Sequence, residues 1–434
     1  MKTPTGHNAR MNRQQLISSF EKVFGTHANL AGDVVVVRSP GRVNLIGEHT
    51  DYNEGLVFPM AIDRAIYFVV RRRSDGVVRA FSSAMTNAMP IEFKADKNVP
   101  RVASHEDATF WTNYLRGPIT QLIRSGIDVP GLDIFVHNTL PSGSGLSSSA
   151  AMEIGISVAV LQLVGRHIDR VPLAMMNVEG EHEYPKVPCG VMDQMIVANG
   201  KAGHAMQLDC RGNRILHAPL DAEKISVVIV NSNVKHALAD GGYGKRKMQC
   251  YTAVALLAKS NPAVKSLRDA TREMIEQLRT ADATQAVSIY QSLRKDAEEP
   301  AEEIHDATEF RNDVFRRARH VVTENNRTQQ FAIELEQSNF TAAGVLMLKS
   351  HESLRYDYNV TVNELDFLVE IAMTKQGVYG CRMTGGGFGG CVVALVEPNR
   401  VDEFSRDIAA AYKRQFNIDP QVIVTAAADA TSVM

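Results

Sequence analysis

A glycine- and serine-rich segment, Pro141-Ser-Gly-Ser-Gly-Leu-Ser-Ser-Ser-Ala150, is the part of the sequence whose residue types point most clearly to chemistry. A strand pattern at Ile134–Val136 leads into it, and a helical pattern at Ala150–Val164 follows it. Gly143 and Gly145 would let a ligand approach the backbone closely. The unpaired amides and the dipole at the start of a helix favour a negative charge, so the segment predicts a site for phosphate.

Three consecutive serines, Ser147, Ser148 and Ser149, lie where this helix would begin. Their hydroxyls can bond phosphate oxygens or ligate Mg²⁺, a hard cation that prefers oxygen. Serine and glycine are also common where a helix simply starts, so the segment by itself fits that role equally well. The Gly-Lys-Ser/Thr ending of a P-loop is absent, and a nucleotide bound here would therefore be held by a different scaffold.

A second cluster, Thr384-Gly-Gly-Gly-Phe-Gly-Gly390, precedes a strand pattern at Val392–Val396. Five glycines in six positions carry a large cost in chain entropy, and an ordinary hairpin turn would need only two or three. We therefore expect the cluster to approach a ligand or the first glycine segment closely.

The third segment runs from Ser39 to Gly55 and concentrates Arg42, Glu48, His49 and Asp51 in a short stretch broken by glycines. This density of hydrogen-bond donors and acceptors suits a ligand with many hydroxyl groups. Taken alone, the segment fits a solvated surface loop with chance charges better than it fits a ligand site.

Composition excludes several classes of function. The 434 residues predict two domains, and 47 Lys and Arg against 49 Asp and Glu leave no basic excess for a nucleic-acid groove. The sequence shows neither an apolar leader nor an apolar run of membrane length, so we expect a cytoplasmic protein that binds neither nucleic acid nor membrane. Five cysteines without a CxxC pair predict reduced thiols.

Short strands open the chain, at Val34–Val37 and Ile66–Val70, and residues 246–372 form mostly charged amphipathic helix. Strands and helices are grouped instead of strictly alternating, which predicts an α+β fold. We interpret Arg71–Arg73, at the end of the second strand, as surface charge.

Taken together and in this order, the three segments resemble the GHMP family of small-molecule kinases. The stretch Gly41-Arg-Val-Asn-Leu-Ile-Gly-Glu-His-Thr-Asp-Tyr-Asn-Glu-Gly55 is similar, almost residue for residue, to the signature of its galactose-phosphorylating branch. Further matches are Trp111-Thr-Asn-Tyr114, Pro188-Cys-Gly-Val-Met-Asp-Gln194 and Ser350-His-Glu-Ser-Leu-Arg355.

The resemblance implies a two-domain fold, with an N-terminal domain like domain 2 of ribosomal protein S5 and a ferredoxin-like C-terminal domain. We expect an N-terminal extension or helix at 1–30, a first domain at 31–212 and a second at 213–434. The first would carry the galactose motif at 38–63 and the ATP phosphate loop at 139–152.

The resemblance also implies an activity: transfer of the γ-phosphate of ATP to the anomeric C1 hydroxyl of galactose. Asp193 and Arg42 would be the catalytic pair. The residues implied in galactose binding are Glu48, His49, Asp51, Gly190 and Tyr243. Those implied in ATP binding are Trp111, beside adenine, with Pro141, Gly143, Ser144, Gly145, Leu146, Ser147, Ser148, Ser149, Gly386 and Gly387. Mg²⁺ would be bound by Ser147, Ser148 and Glu181.

Two alternatives stay open at this point. A kinase for a related sugar such as N-acetylgalactosamine would need room beside the C2 hydroxyl, whereas Thr50 and Asn53 match the galactose form of the signature. A non-catalytic sensor of galactose and ATP would lack part of the Ser147–Ala150 run, which is intact here. We expect a monomer or a weak homodimer whose partners are galactose and ATP.

Overall fold

The computed structural model describes residues 11–26, 34–85, 89–141, 143–235, 239–297 and 302–434. Parts of two predicted regions, residues 1–10 and 27–30 of the extension and Ser142 of the phosphate loop, lie outside them. The first part of the chain contains α1 (Arg13–Phe24), β1 (Val34–Asn44), β2 (Leu56–Val57), β3 (Pro59–Arg73), β4 (Val77–Ser82), β5 (Ile91–Lys94), α2 (Asn113–Arg124), β6 (Gly131–Asn138), α3 (Ser148–Leu163), α4 (Arg170–Glu183) and α5 (Met192–Asn199).

The second part begins with a β-hairpin, continues through a long helical region and ends in strands. It contains β7 (His204–Asp209), β8 (Arg214–Pro219), β9 (Ser226–Lys235), α6 (Ala239–Ser260), α7 (Arg272–Glu276), α8 (Ala283–Asp296), α9 (Ala307–Glu336), α10 (Phe340–Ser353), α11 (Asn363–Ala372), β10 (Val378–Thr384), β11 (Gly389–Val396), α12 (Val401–Phe416), β12 (Gln421–Thr425) and β13 (Ser432–Val433). This content confirms the α+β prediction. The two opening strands lie where they were predicted but are not short, since β1 has 11 residues and β3 has 15.

The strands of the described residues form three sheets. The largest has the order β13-β1-β3-β6-β4-β5, the second β10-β11-β9-β12 and the third β2-β7-β8. All pairs in the second sheet are antiparallel, whereas β4 and β6 of the first sheet run parallel. Strand β13 brings the end of the chain back to β1, so the first sheet includes residues from both predicted domains. The domain boundary near residue 212 stays a prediction.

The central strands of the second sheet, β9 and β11, are buried on both faces, which explains their uninterrupted apolar runs. Along β9, Val228 and Val230 belong to the core formed with the C-terminal helices, whereas Val227 and Ile229 belong to the core of the first sheet. Successive side chains of a strand point to opposite faces. The sheet therefore lies between the two cores and ties them together.

Helix α3 follows the phosphate-loop segment and is apolar on all sides, as expected of a helix that is buried all round. It packs against β1 and β3. Gly155 makes this possible, because a Cβ atom there would lie 2.2 Å from the Phe68 ring. The start of α3 is thereby held rigidly beside β1.

The interpretation of Arg71 as surface charge is wrong. Its side chain is buried, it forms an ion pair with Asp133 at 2.6 Å, and it donates to the backbone carbonyls of Phe24 and Gly25 at the end of α1. The strand pattern gave no sign of this, because the partners lie on α1 and β6. Within the part of the chain that the structure describes, we find no helix with the length and apolarity to cross a membrane.

Candidate active site

A cleft of about 170 Å³ collects most of the residues predicted to bind sugar and to catalyse the reaction. Its walls come from β1, the segment after β1, the starts of α3 and α5, the end of α4 and the glycine cluster. The lining residues are Arg42, Glu48, His49, Asp51, Ser149, Glu181, Val187, Cys189, Gly190, Met192, Asp193, Tyr243, Gly385 and Gly386. Segments more than 300 residues apart in the sequence thus share one small cavity.

Arg42 and Asp193 form a two-pronged ion pair at the bottom of this cleft. The Nε and Nη2 atoms of Arg42 donate to the two carboxylate oxygens of Asp193, each at 2.8 Å. A third Arg42 nitrogen, Nη1, donates to the carbonyl of Gly145 in the phosphate loop. Arg42 lies just after an irregularity in the pairing of β1 with β3, and Asp193 lies in the first turn of α5. The predicted catalytic pair is therefore in contact and joins the cleft to the segment predicted as the phosphate loop.

Asp193 also accepts a hydrogen bond from the Ser147 hydroxyl at 2.5 Å. Its side chain is 25% exposed, whereas that of Arg42 is 6% exposed. The carboxylate thus remains open to the cleft on one side while the guanidinium fixes its orientation from the other.

We call residues Leu45–Gly55 the sugar loop, since they hold the signature side chains. The loop is tightly folded: Gly47 has φ of +94° and His49 has φ of +60°. The Thr50 hydroxyl lies 2.9 Å from the Gly47 carbonyl and 2.8 Å from the Leu56 carbonyl. A Cβ atom at Gly47 would lie 2.6 Å from the Leu56 oxygen, so only glycine fits there.

The Glu48 carboxylate is buried and already occupied by protein groups. Its Oε2 atom accepts from Asn44 at 2.7 Å, and its Oε1 atom accepts from the Gly385 amide at 2.7 Å and from Arg382 at 3.3 Å. Glu48 therefore connects the sugar loop to the glycine cluster in addition to lining the cleft.

His49 is the residue of the sugar loop best placed to contact a ligand through an unpaired atom. Burial, followed by the charges of His320 and Arg246, lowers the pKa of His49 to about 3, so the ring is neutral near pH 7. Its Nδ1 atom lies 2.8 Å from the Tyr52 hydroxyl. The Nε2 atom is buried without a hydrogen-bond partner of good geometry among the described residues. The Tyr243 ring lies beside the imidazole, with 5.5 Å between the ring centroids.

Asp51 and Gly190 are in direct contact in the lining of the cleft. A Cβ atom at Gly190 would lie 1.9 Å from Asp51 Oδ2, so the carboxylate occupies the space that any larger residue would fill. Burial and the Asp193 carboxylate raise the pKa of Asp51 to about 6. The absence of a side chain at Gly190 is thus explained by Asp51, whatever contact its backbone makes with a ligand.

The two glycine segments pack against each other, as one of our expectations held. A Cβ atom at Gly385 would lie 3.2 Å from the Gly145 carbonyl, and one at Gly390 would lie 3.3 Å from the Ser144 carbonyl. Ser147 has φ of +57° as the residue before the first turn of α3. Within the second glycine cluster, Gly386 lines the 170 Å³ cleft, while Gly387 packs against the Val360 backbone.

A buried acidic pair lies beside the phosphate loop. Gln194 Nε2 donates to Glu153 at 3.0 Å and to Glu181 at a shorter distance. Burial and the Asp193 charge raise the pKa of Glu181 to about 7, and burial and Glu181 raise that of Glu153 well above its usual range. Ser149 bonds to Glu181 as well, whereas Ser148 is exposed. Carboxylates that repel each other next to hydroxyl groups suit a bound cation.

Trp111 lies apart from this cleft. It sits in a 3₁₀ turn at Phe110–Thr112, and its ring packs against the core of the first sheet. Its Nε1 atom is buried without a hydrogen-bond partner among the described residues. The position beside adenine stays a prediction.

Sequence reasoning missed several residues of the site. Cys189 and Gln194 were available from the Pro188–Gln194 segment, which we used only for Gly190 and Asp193. Glu153 and Arg382 carried no signal, because an acidic residue in an apolar helix and an arginine in a strand become informative only when their neighbours are known.

Three family models match the chain. They are the galactokinase galactose-binding signature at residues 18–72, the N-terminal domain of GHMP kinases at 113–201 and the C-terminal domain of GHMP kinases at 331–414.

Curated relatives and solved structures agree with these models. A galactokinase of Chloroflexus aurantiacus is 38% identical over 92% of this chain and 91% of its own length, and one of Ligilactobacillus salivarius is 35% identical over 98% and 100%. The crystal structure of Lactococcus lactis galactokinase complexed with galactose superposes with a TM-score of 0.83 at 30% identity, covering 97% of this chain and 99% of that one.

A more distant neighbour, the mevalonate kinase of Methanococcus jannaschii, has a TM-score of 0.57 at 15% identity over 92% of this chain and 100% of that one, and shares the fold alone. The galactose signature, the two GHMP domains and the nearly full-length relatives lead to one conclusion: the chain belongs to the galactokinase family of GHMP kinases.

Proposed function

We propose that galactose binds in the 170 Å³ cleft and that its C1 hydroxyl, held beside Asp193, receives the γ-phosphate of an ATP molecule bound along the phosphate loop. The observation that carries this proposal is the position of Arg42. Its guanidinium contacts Asp193 on the sugar side and the Gly145 carbonyl on the phosphate side. A group transferred between the two ligands would pass this point.

Asp193 is the acceptor for the proton of the C1 hydroxyl in this proposal. A sugar hydroxyl is a poor nucleophile, so removing or polarising its proton and aligning its oxygen with the γ-phosphorus both accelerate transfer. The two-pronged contact with Arg42 holds the carboxylate in one orientation, and its partial exposure leaves an edge open to the sugar. Arg42 also contributes positive charge where the phosphoryl oxygens would pass.

The phosphate loop and the acidic pair provide the second half of the site. The first-turn amides of α3 have no acceptors inside the helix and point toward the loop, where phosphate oxygens would bind. Membership in a kinase family implies a divalent metal, and we propose Mg²⁺, with Glu181 and the hydroxyls of Ser147 or Ser148 as its ligands. Such an ion neutralises charge on the phosphates when it is bound. The place of Glu181 supports this assignment, because its carboxylate is buried next to the Ser149 hydroxyl at the start of α3.

We assign sugar specificity to His49, Asp51 and Tyr243. The Glu48 carboxylate holds the part of the cleft wall that lies between these residues. The His49 Nε2 atom, which makes no hydrogen bond of good geometry, and the Asp51 carboxylate both present polar groups to the cleft. A hydroxyl of the wrong configuration would leave such groups unpaired, which costs about 1–3 kcal/mol for each group.

The test is an ADP-release assay with galactose, glucose, N-acetylgalactosamine, arabinose and mevalonate as acceptors, repeated with EDTA. We expect kcat/KM for galactose to exceed that for glucose by at least about tenfold, from one unpaired buried group. EDTA should abolish turnover, and added Mg²⁺ should restore it. Equal kcat/KM for the two sugars, preference for N-acetylgalactosamine, or full activity in EDTA would contradict the corresponding part of the proposal.

Compartment and assembly are further parts of the proposal. A cytoplasmic location agrees with the use of ATP and with five cysteines that are all free thiols. A monomer or weak homodimer is expected, and sedimentation at several protein concentrations would test it.

A further inference from the structure

Helix α9 belongs to the C-terminal half of the chain, yet it contacts the sugar loop near its start and the residue that directly follows its end. Glu324 Oε1 accepts a hydrogen bond from the Gly47 amide at 3.0 Å, and His320 Nε2 lies 3.0 Å from the Glu48 carbonyl oxygen. At the other end, Asn325 Oδ1 accepts from the Leu56 amide at 2.8 Å. One face of one helix thus fixes the backbone on either side of His49.

The two contacts at the start of the loop are buried and well supported. Glu324 and His320 are both fully buried. Glu324 is held by Arg327 at 2.6 Å and by the Ser350 hydroxyl at 2.5 Å, and His320 Nδ1 lies 2.9 Å from the Ser353 hydroxyl. An acceptor that is ionised strengthens a hydrogen bond from a backbone amide.

The charge states fit these hydrogen bonds. Burial alone would favour a neutral Glu324, but the charges of Arg327, His320 and Arg382 lower its pKa to about 2. Burial lowers the pKa of His320 to about 4. Near pH 7 a carboxylate therefore accepts from the Gly47 amide, while a neutral imidazole donates its Nε2 proton to the Glu48 carbonyl.

The same cluster reaches the wall of the cleft through side chains. The Ser350 hydroxyl that contacts Glu324 also lies 3.2 Å from Arg382 Nε, and Arg382 Nη1 contacts the Glu48 carboxylate at 3.3 Å. Glu48 in turn accepts from the Gly385 amide. A continuous series of polar contacts therefore joins α9 to the cleft.

We propose that Glu324 and His320 are positioning residues for galactose recognition, which hold the backbone of Gly47 and Glu48 so that the Glu48, His49 and Asp51 side chains point into the cleft. Neither residue lines the cleft, so both act through the sugar loop. The inference rests on the proposed role of that loop in binding galactose. A helix that served only the stability of the core would affect the yield and melting temperature of the protein, but not its affinity for one substrate.

Two pairs of variants test this. His320→Leu removes the donor to the Glu48 carbonyl at similar volume, and His320→Gln restores an amide donor there. Glu324→Leu removes the acceptor of the Gly47 amide, and Glu336→Leu is its control on the same helix, at an exposed position. The measurements are KM for galactose, KM for ATP, the galactose Kd from calorimetry and the melting temperature.

We expect His320→Leu and Glu324→Leu to raise KM and Kd for galactose by about tenfold or more, from the loss of one buried hydrogen bond, with KM for ATP changed less than about twofold. His320→Gln should recover most of the affinity, and Glu336→Leu should match the wild type. If Glu324→Leu does not fold, the His320 pair decides. Folded His320→Leu enzyme with wild-type affinity for galactose, or equal losses for both substrates, would overturn the proposal. Failure of the wild type itself to phosphorylate galactose would instead refute the proposed function.

Discussion

Replacing Asp193 with asparagine separates the chemistry of the site from its architecture. Asparagine has nearly the same shape and can still hydrogen-bond the sugar, but it cannot accept a proton near neutral pH. If Asp193 is the proton acceptor, kcat should fall by about 10²–10⁴, a typical contribution of general base catalysis. Galactose affinity should change much less, because the rest of the cleft is untouched.

The contacts of Asp193 set the expected cost to stability. Its two oxygens accept from Arg42 Nε, Arg42 Nη2 and the Ser147 hydroxyl. Asparagine keeps one oxygen and presents an NH₂ group to one of these donors, while Arg42, at 6% exposure, loses its carboxylate partner. Breaking a fully buried pair costs about 3–5 kcal/mol, and the 25% exposure of Asp193 reduces this to about 1–3 kcal/mol. The expected loss in kcat corresponds to about 2.7–5.5 kcal/mol of activation free energy. The loss of stability and the loss of kcat come from different measurements, so each can be determined separately.

The assay combines kcat from ADP release, galactose Kd from calorimetry and a denaturation curve for each variant. Asp75→Asn is the matched control, since it makes the same substitution in an exposed pair with Arg73. We expect that control to retain wild-type kcat. A folded Asp193→Asn enzyme with kcat near that of the wild type would refute the reasoning, and would leave Asp193 the role of orienting the hydroxyl.

Three further predictions follow from individual contacts. Gly190→Ala should raise KM for galactose by about tenfold or more, because the new methyl group would displace the Asp51 carboxylate. KM for ATP should stay near the wild-type value, and an unchanged KM for galactose would contradict this. Since the pKa of Asp51 is raised to about 6, its carboxylate takes up a proton as pH falls through 6. In a pH profile, kcat/KM for galactose should therefore decline there more steeply in the wild type than in Asp51→Asn, and equal slopes would contradict this. Arg71→Leu should lower the free energy of unfolding by about 1–3 kcal/mol with kcat retained, because Asp133 loses its closest partner while Arg73 and Arg79 still pair with it. A denaturant titration that shows a loss below about 1 kcal/mol, on the order of a surface pair, would contradict this.

Local patterns in the sequence were sufficient for the fold class and for most members of the site. Glycine and serine spacing in Pro141–Ala150 predicted a loop followed at once by a helix, which begins at Ser148, because glycine conformation and helix initiation depend mainly on neighbouring residues. The apolar strands at Ile66–Val70 and Val392–Val396 were recognisable for the same reason. The sugar loop was identifiable as a signature, since its turns are made by its own residues.

The tertiary structure alone decided which of these segments meet and what charge each group carries. Arg42 and Asp193 are 151 positions apart, and only the packing of α3 and α5 against β1 brings them to 2.8 Å. Arg71 was predicted to be surface charge, but its side chain is enclosed by Asp133 and the end of α1. Glu324 and His320 carry no local signal, because their roles depend on a helix from the second half of the chain crossing a loop from the first. Contacts of this kind follow from the path of the whole chain, which side-chain periodicity does not encode.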